Sequence, residues 1–136
     1  MEARRQRPRV LLAKSFIDSH DRAIETIAKV LRDAGMEVIL LDYELAQQVG
    51  SAADQEDVDV IGVSFMSGGQ VEVTKELFRS MRELGVGDIP VVVGGTIRPF
   101  DVEELEGTGV KAIFRGGEPL DSIVKTFADL AEQSRN

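Results

Sequence analysis

The chain has 136 residues, enough for one domain with its own hydrophobic core. Its 43% hydrophobic and 29% charged residues are typical of a folded globular protein, and no apolar run approaches the ~20 residues of a membrane-spanning helix. A net charge of −8 argues against nucleic acid as a partner, and the absence of cysteine excludes disulfides and thiolate chemistry. A cytoplasmic protein is the simplest interpretation.

Residues 1–8 are basic, with three arginines and one glutamate, and they lack the apolar stretch of a signal peptide. We predict a flexible tail over 1–8 and one folded domain over 9–132.

The first half of the chain alternates apolar runs with helical periodicity. The pattern predicts strands over 9–14, 36–41 and 58–64, a helix over 24–34 that Gly35 ends, and a weaker helix over 45–53 that Gly50 interrupts.

The second half continues the same alternation. It predicts helices over 71–84, 102–105 and 120–130 and strands over 89–94 and 110–114, with Pro90 near a strand start. Five strand–helix units indicate a single doubly wound α/β domain with a parallel five-stranded sheet. The flavodoxin-like strand order 2-1-3-4-5 is the arrangement we expect.

Ligands of such folds bind at the carboxyl ends of the strands. Three predicted loops at this edge each carry two adjacent glycines, namely Gly68–Gly69, Gly94–Gly95 and Gly116–Gly117. Glycine allows a close approach of the backbone, so three such pairs indicate a large ligand that lies against it.

Common phosphate and catalytic motifs are missing at this edge. The chain has neither G-x-G-x-x-G nor G-x-x-x-x-G-K-[ST], and Ser64 stands where a phosphoacceptor domain would need aspartate. No Ser-His-Asp or paired-carboxylate arrangement can be located, so no catalytic residue is predicted.

His20 is the only histidine, and Asp18 and Lys14 precede it in the first loop. A metal-bound histidine usually donates its second ring N–H to a carboxylate, and Asp18 is placed to accept, with Lys14 keeping it ionised. Alternatively, Asp18 caps the first helix and His20 is a solvated loop residue. The spacing alone leaves both interpretations open.

Three motifs together resemble those of cobalamin-binding domains. Asp18-Ser19-His20-Asp21-Arg22-Ala23 resembles D-x-H-x-x-G, Ser64-Phe65-Met66 resembles S-x-L, and Gly94-Gly95 resembles G-G. The resemblance covers about 8–131 and is greatest to the cobalamin domains of methylmalonyl-, isobutyryl- and 2-hydroxyisobutyryl-CoA mutases.

This resemblance implies base-off, histidine-on binding, with His20 as the axial cobalt ligand. Asp18 would accept a hydrogen bond from His20, and Lys14 would keep Asp18 ionised. The nucleotide tail would then pass between the first helix and strands three to five. It implies a cofactor-binding set comprising Asp18, Ser19, His20, Asp21, Arg22, Ala23, Ser64, Met66, Gly68, Gly94, Gly95, Phe114, Gly116 and Gly117.

Within this set, Ser64 would hydrogen-bond the benzimidazole, Met66 would flank it, and Gly94 and Gly95 would let the tail pass. Without the resemblance, a strand-end hydroxyl and a core methionine explain Ser64 and Met66 equally simply. A valine at Gly95 is expected to block the tail while the strand end still forms.

Three segments depart from the family pattern. Ala23 replaces the glycine of the first motif, Met66 replaces leucine, and 41–50 lacks the usual Thr-Pro-Glu helix start. These departures are expected to affect the affinity for the nucleotide tail and the surface that contacts a partner, but not the residues around His20.

The resemblance implies the cobalamin-binding small subunit of an adenosylcobalamin-dependent acyl-CoA mutase, an isomerase that is inactive alone. A large catalytic subunit with a TIM-barrel, (β/α)₈ fold would complete a hetero-oligomer. The alternatives are a cobalamin carrier or sensor module without mutase activity, and a degenerate docking domain.

Overall fold

The computed structural model describes residues 7–15, 22–65 and 68–135. Its sheet comprises β1 (Arg9–Ser15), β2 (Glu37–Tyr43), β3 (Val60–Phe65), β4 (Val91–Gly95) and β5 (Ala112–Phe114). The strand order is β2-β1-β3-β4-β5, and all neighbours are parallel. The predicted fold class and strand order are therefore confirmed.

Five α-helices cover the two faces of the sheet: α1 (Arg22–Asp33), α2 (Ala46–Glu56), α3 (Gln70–Glu83), α4 (Val102–Thr108) and α5 (Leu120–Arg135). Because strand side chains alternate between faces, Val10, Leu12 and Val60 pack with α1 and α5. Leu11, Ala13 and Ile61 pack on the opposite face, with the helices α2 to α4. No helix in the described part is long and apolar enough to cross a membrane.

Several strand boundaries differ from the predicted ones by two residues. The strands β3, β4 and β5 begin two residues later than predicted, because the apolar run of each starts before the first residue that is paired in the sheet. Pro90 lies just before β4, where its carbonyl accepts the Ile61 N–H at 2.9 Å. β2 continues to Tyr43 because Asp42 and Tyr43 pair with the end of β1.

The predicted interruption of the second helix at Gly50 is wrong, since α2 runs unbroken from Ala46 to Glu56. Gly50 is buried, and a Cβ built there would lie 2.8 Å from Ser80 Oγ on α3. The missing side chain therefore permits close packing of α2 on α3, a tertiary contact that no local pattern reveals.

The start of α2 is capped although it lacks the usual Thr-Pro-Glu sequence. The backbone N–H groups of Glu44 and Leu45 donate to Gln48 Oε1 at 2.7 and 3.0 Å. The glutamine side chain thus fixes the turn into the helix, as the fourth residue of a capping box does.

Candidate functional site

A cavity of about 410 Å³ opens at the carboxyl ends of the strands, between α1, α5 and the sheet. We call it the α1–α5 cavity. Its walls are mostly apolar and include Leu12, Ile24, Ile27, Val92, Val93, Phe114, Leu120, Ile123 and Phe127. The residues that bring polar side chains to it are Arg22, Thr26, Ser64 and Glu118.

Most of the described residues that the sequence predicted for the site lie together in this cavity. They are Arg22, Ala23, Ser64, Gly94, Gly95, Phe114, Gly116 and Gly117. Gly68 is exposed in the loop before α3 and does not line the cavity. The other predicted residues, Asp18, Ser19, His20, Asp21 and Met66, lie outside the described residues.

An aromatic pair forms one wall of the α1–α5 cavity. The rings of Phe114 and Phe127 are stacked, with centroids 6.3 Å apart and an interplanar angle of 22°. Phe127 also packs over Gly62, where a Cβ would lie 3.0 Å from the ring. Phe127 was predicted only as part of a helix, because its 3.6-residue spacing is that of a core position.

The only polar strand-end side chain in the cavity, among the described residues, is that of Ser64 on β3. It is half-buried and pairs in register with Gly94 of β4. A hydroxyl on an otherwise apolar wall can orient a flat heterocyclic ligand by one hydrogen bond. Within the described part, no group of three or more acidic or histidine side chains is placed to hold a metal ion.

Gly95 has a left-handed backbone, with φ of +104°, and a Cβ built there would lie 2.2 Å from the Phe65 carbonyl oxygen. The expectation that valine at Gly95 would leave the strand end intact is therefore wrong. Any side chain would collide with the backbone of the neighbouring strand, so the substitution would disturb folding as well as the cavity.

Glu118 fixes the glycine loop that follows β5. Its carboxylate accepts the backbone N–H groups of Arg115 and Gly116, both at 2.8 Å. Partial burial raises the pKa of Glu118, but the backbone hydrogen bonds and the Arg115 charge outweigh this and lower it below the ordinary 4.5. The carboxylate thus stays ionised at neutral pH and holds the loop.

This network predicts an acid-dependent release of the loop. Because its folded-state pKa is lowered, the stabilisation from Glu118 is complete above about pH 4.5 and is lost as pH falls through that lowered value. We expect the Arg115 and Gly116 amide resonances to shift with a midpoint below 4.5, and Glu118→Gln to abolish that titration. Glu103→Gln, on the opposite face of the sheet, should preserve it; a titration that persists in Glu118→Gln would refute the assignment.

Lys14, at the end of β1, makes an ion pair across the β1–β2 ladder. Its Nζ lies 3.2 Å from Asp42 Oδ1, and its side chain is 18% exposed. Both residues line a second groove of about 380 Å³, which shares Leu12 and Ile24 with the α1–α5 cavity. The predicted contact of Lys14 with Asp18 involves a residue outside the described part and stays a prediction.

Three exposed apolar side chains lie at the edge of the sheet where the strands have their carboxyl ends. Leu45 precedes α2, Phe100 follows β4, and Leu120 begins α5, with exposed fractions of 57%, 73% and 42%. The Arg98 guanidinium lies 4.8 Å from the Phe100 ring centroid and donates to Asp101 at 2.9 Å. Helical periodicity predicted Leu45 and Leu120 as helix positions but did not indicate that they are exposed, and it did not reveal Phe100, because an isolated apolar residue outside a periodic segment has no pattern.

Comparison with known proteins assigns these features to a family. A family model described as B12 binding domain matches residues 8–124. The chain is 39% identical over 123 residues to the 2-hydroxyisobutanoyl-CoA mutase small subunit of Aquincola tertiaricarbonis, covering 90% of each chain. It is 33% identical to methylmalonyl-CoA mutase of Cereibacter sphaeroides, where the match covers 96% of this chain but only 19% of that protein.

A solved structure shares the fold at low sequence identity. A cobalamin-binding protein from Desulfitobacterium hafniense DCB-2 superposes with a TM-score of 0.74 at 17% identity. The match covers 92% of this chain and 60% of that one.

Proposed function

Since the chain belongs to the B12-binding domain family, we propose that it is the cobalamin-binding small subunit of an adenosylcobalamin-dependent acyl-CoA mutase. The similarity to a mutase small subunit over 90% of both chains supports this function. The related proteins are named for different acyl-CoA substrates, so the proposal extends to the class of acyl-CoA and not to one member.

The observation that carries the proposal is that the carboxyl ends of β3 and β4 and the loop after β5 converge on the α1–α5 cavity. Ser64 from β3, Gly94 from β4 and Gly116 from the β5 loop all line it. The cavity is open at the carboxyl edge and apolar inside, which suits a flat heteroaromatic base with a polar chain leading to solvent. A Cβ at Gly116 or Gly117 would meet no atom within 4 Å, so the backbone there leaves space for a ligand.

The described residues therefore fit the nucleotide tail of cobalamin. We assign Ser64 to hydrogen-bond the benzimidazole and the Phe114–Phe127 pair to pack near it. Arg22 lines the cavity at the start of α1 and would offset the negative charge of the tail phosphate. Glu118 and the two glycines before it, Gly116 and Gly117, line the cavity just before the start of α5.

We propose from the motif that His20 would hold cobalt, that Asp18 would accept its second ring N–H, and that Lys14 would keep Asp18 ionised. When bound, adenosylcobalamin supplies radical chemistry through homolysis of its cobalt–carbon bond. The role of the chain is to bind the cofactor, to orient it and to set the basicity of its lower ligand.

The proposed partner is a large catalytic subunit with a (β/α)₈ barrel that carries the acyl-CoA site. If the corrin lies over the carboxyl edge of the sheet, the partner must approach the same edge for substrate to reach cobalt. Leu45, Phe100 and Leu120 lie at this edge and are exposed, as expected of apolar contacts in a hetero-oligomer.

This function predicts that activity depends on the partner and on Phe100. The chain with adenosylcobalamin should turn over no acyl-CoA until a large mutase subunit is added. We expect Phe100→Ser to raise the chain concentration needed for half-maximal activity roughly 10-fold, because an exposed aromatic anchor is lost, without changing cobalamin affinity.

Leu84→Ser is the matched control, since Leu84 is also exposed, at 42%, but lies at the end of α3 on the opposite edge of the sheet. It should leave activity unchanged. Turnover by the chain alone would contradict the shared active site. Cobalamin binding without turnover with any large subunit would favour a carrier or sensor module instead.

A further inference from the structure

Gln70 is a buried polar residue next to the site but outside the cavity wall. It is the first residue of α3 and is only 2% exposed. Its side-chain Nε2 donates to the Thr96 carbonyl oxygen at 2.9 Å. The hydrogen bond therefore joins the start of α3 to the loop that follows β4.

Thr96 directly follows the glycine pair that lines the α1–α5 cavity. Its own N–H donates to the Phe65 carbonyl at 2.7 Å. Both backbone groups of Thr96 are thus held, one by the end of β3 and the other by Gln70. Gly95, whose backbone is left-handed, immediately precedes Thr96, so both hydrogen bonds hold the residue at which the Gly94–Gly95 segment ends.

We propose that Gln70 is a positioning residue that holds the Gly94–Gly95 segment in the conformation needed to bind cobalamin. This role rests on the proposed function. Gln70 does not line the cavity itself, so it would act through its hydrogen bond to Thr96 and not by contact with the ligand. The side-chain amide of Gln70 is suited to this role because its N–H group reaches the Thr96 carbonyl. Without that donor the Thr96 carbonyl would lose its hydrogen bond to Gln70, and leaving a buried carbonyl unpaired costs stability.

Thr74 provides a matched control on the same helix. It lies one turn after Gln70, is 1% exposed, and its hydroxyl has no hydrogen-bond partner among the described residues. Thr74→Val therefore exchanges a buried polar group for an apolar one without breaking a described contact between loops.

The test compares four proteins by titration with hydroxocobalamin and by hydrogen exchange of the Thr96 amide. Gln70→Met preserves the approximate volume but removes the donor, so affinity should fall about 10-fold and Thr96 exchange should accelerate. Gln70→His retains an N–H donor and should recover most of the affinity. Thr74→Val should match the wild-type protein in both measurements.

Wild-type affinity and unchanged Thr96 exchange in Gln70→Met would overturn the positioning role while leaving the proposed function intact. Equal losses in Gln70→Met and Thr74→Val would also overturn it, because a general packing defect would then explain both. A wild-type chain that binds no hydroxocobalamin would refute the proposed function itself, and with it this role of Gln70.

Discussion

Replacing Gly95 with alanine is expected to destabilise the fold by about 3 kcal/mol or more. Two effects add at this position. The φ of +104° is a conformation that side-chain-bearing residues rarely adopt, and the new Cβ would lie 2.2 Å from the Phe65 carbonyl oxygen. Because that oxygen belongs to the backbone of β3, it cannot move aside without displacing a central strand. The measurement is the free energy of unfolding in urea.

Gly116→Ala separates the two effects. Gly116 has a similar φ of +99°, but a Cβ at this position would meet no atom within 4 Å. It should therefore lose only about 1–2 kcal/mol, from backbone strain. If both variants lose the same stability, the close approach to Phe65 is not what requires glycine at position 95.

Replacing His20 with alanine is expected to have the largest effect on the cofactor. If His20 holds cobalt as proposed, the variant should lose the protein ligand and bind cobalamin weakly, through the α1–α5 cavity alone. Asp18→Asn should retain ligation but lower cobalamin affinity or reconstituted activity about 10–100-fold, the usual effect of losing a carboxylate behind a metal-bound histidine.

These losses are measured by titration with adenosylcobalamin and by activity after addition of the proposed large subunit. Glu132→Gln, at an exposed position near the end of α5 that lines neither the α1–α5 cavity nor the second groove, is a control that should change neither. Wild-type affinity and activity in His20→Ala would show that the histidine is an ordinary loop residue.

The sequence was sufficient to predict the sheet because its strands are short, separate apolar runs. The buried strands β1, β3 and β4 each contain such a run, and the helices between them impose a parallel order. The interpretation of Gly50 failed because helix propensity is local, whereas its packing against Ser80 depends on two helices that meet only in the fold.

The cavity was partly predictable for the same reason. Ser64 and the glycines stand at strand ends, so topology alone brings them to one edge. Phe127 and Gln70 were not identified, since a helical aromatic is indistinguishable from core and a single glutamine has no motif. Gly95 was assigned to the tail, but its contact with Phe65 shows that the fold itself also requires it.

The most direct test of the account is electron paramagnetic resonance of the wild-type chain with cob(II)alamin. If His20 binds cobalt from below, the spectrum should show coupling to one axial nitrogen that belongs to the protein. Uniform nitrogen-15 labelling of the protein should then change the coupling from three lines to two, because the nuclear spin of the ligand nitrogen changes. A spectrum that the label leaves unchanged would contradict histidine ligation and, with it, the proposed mode of cobalamin binding.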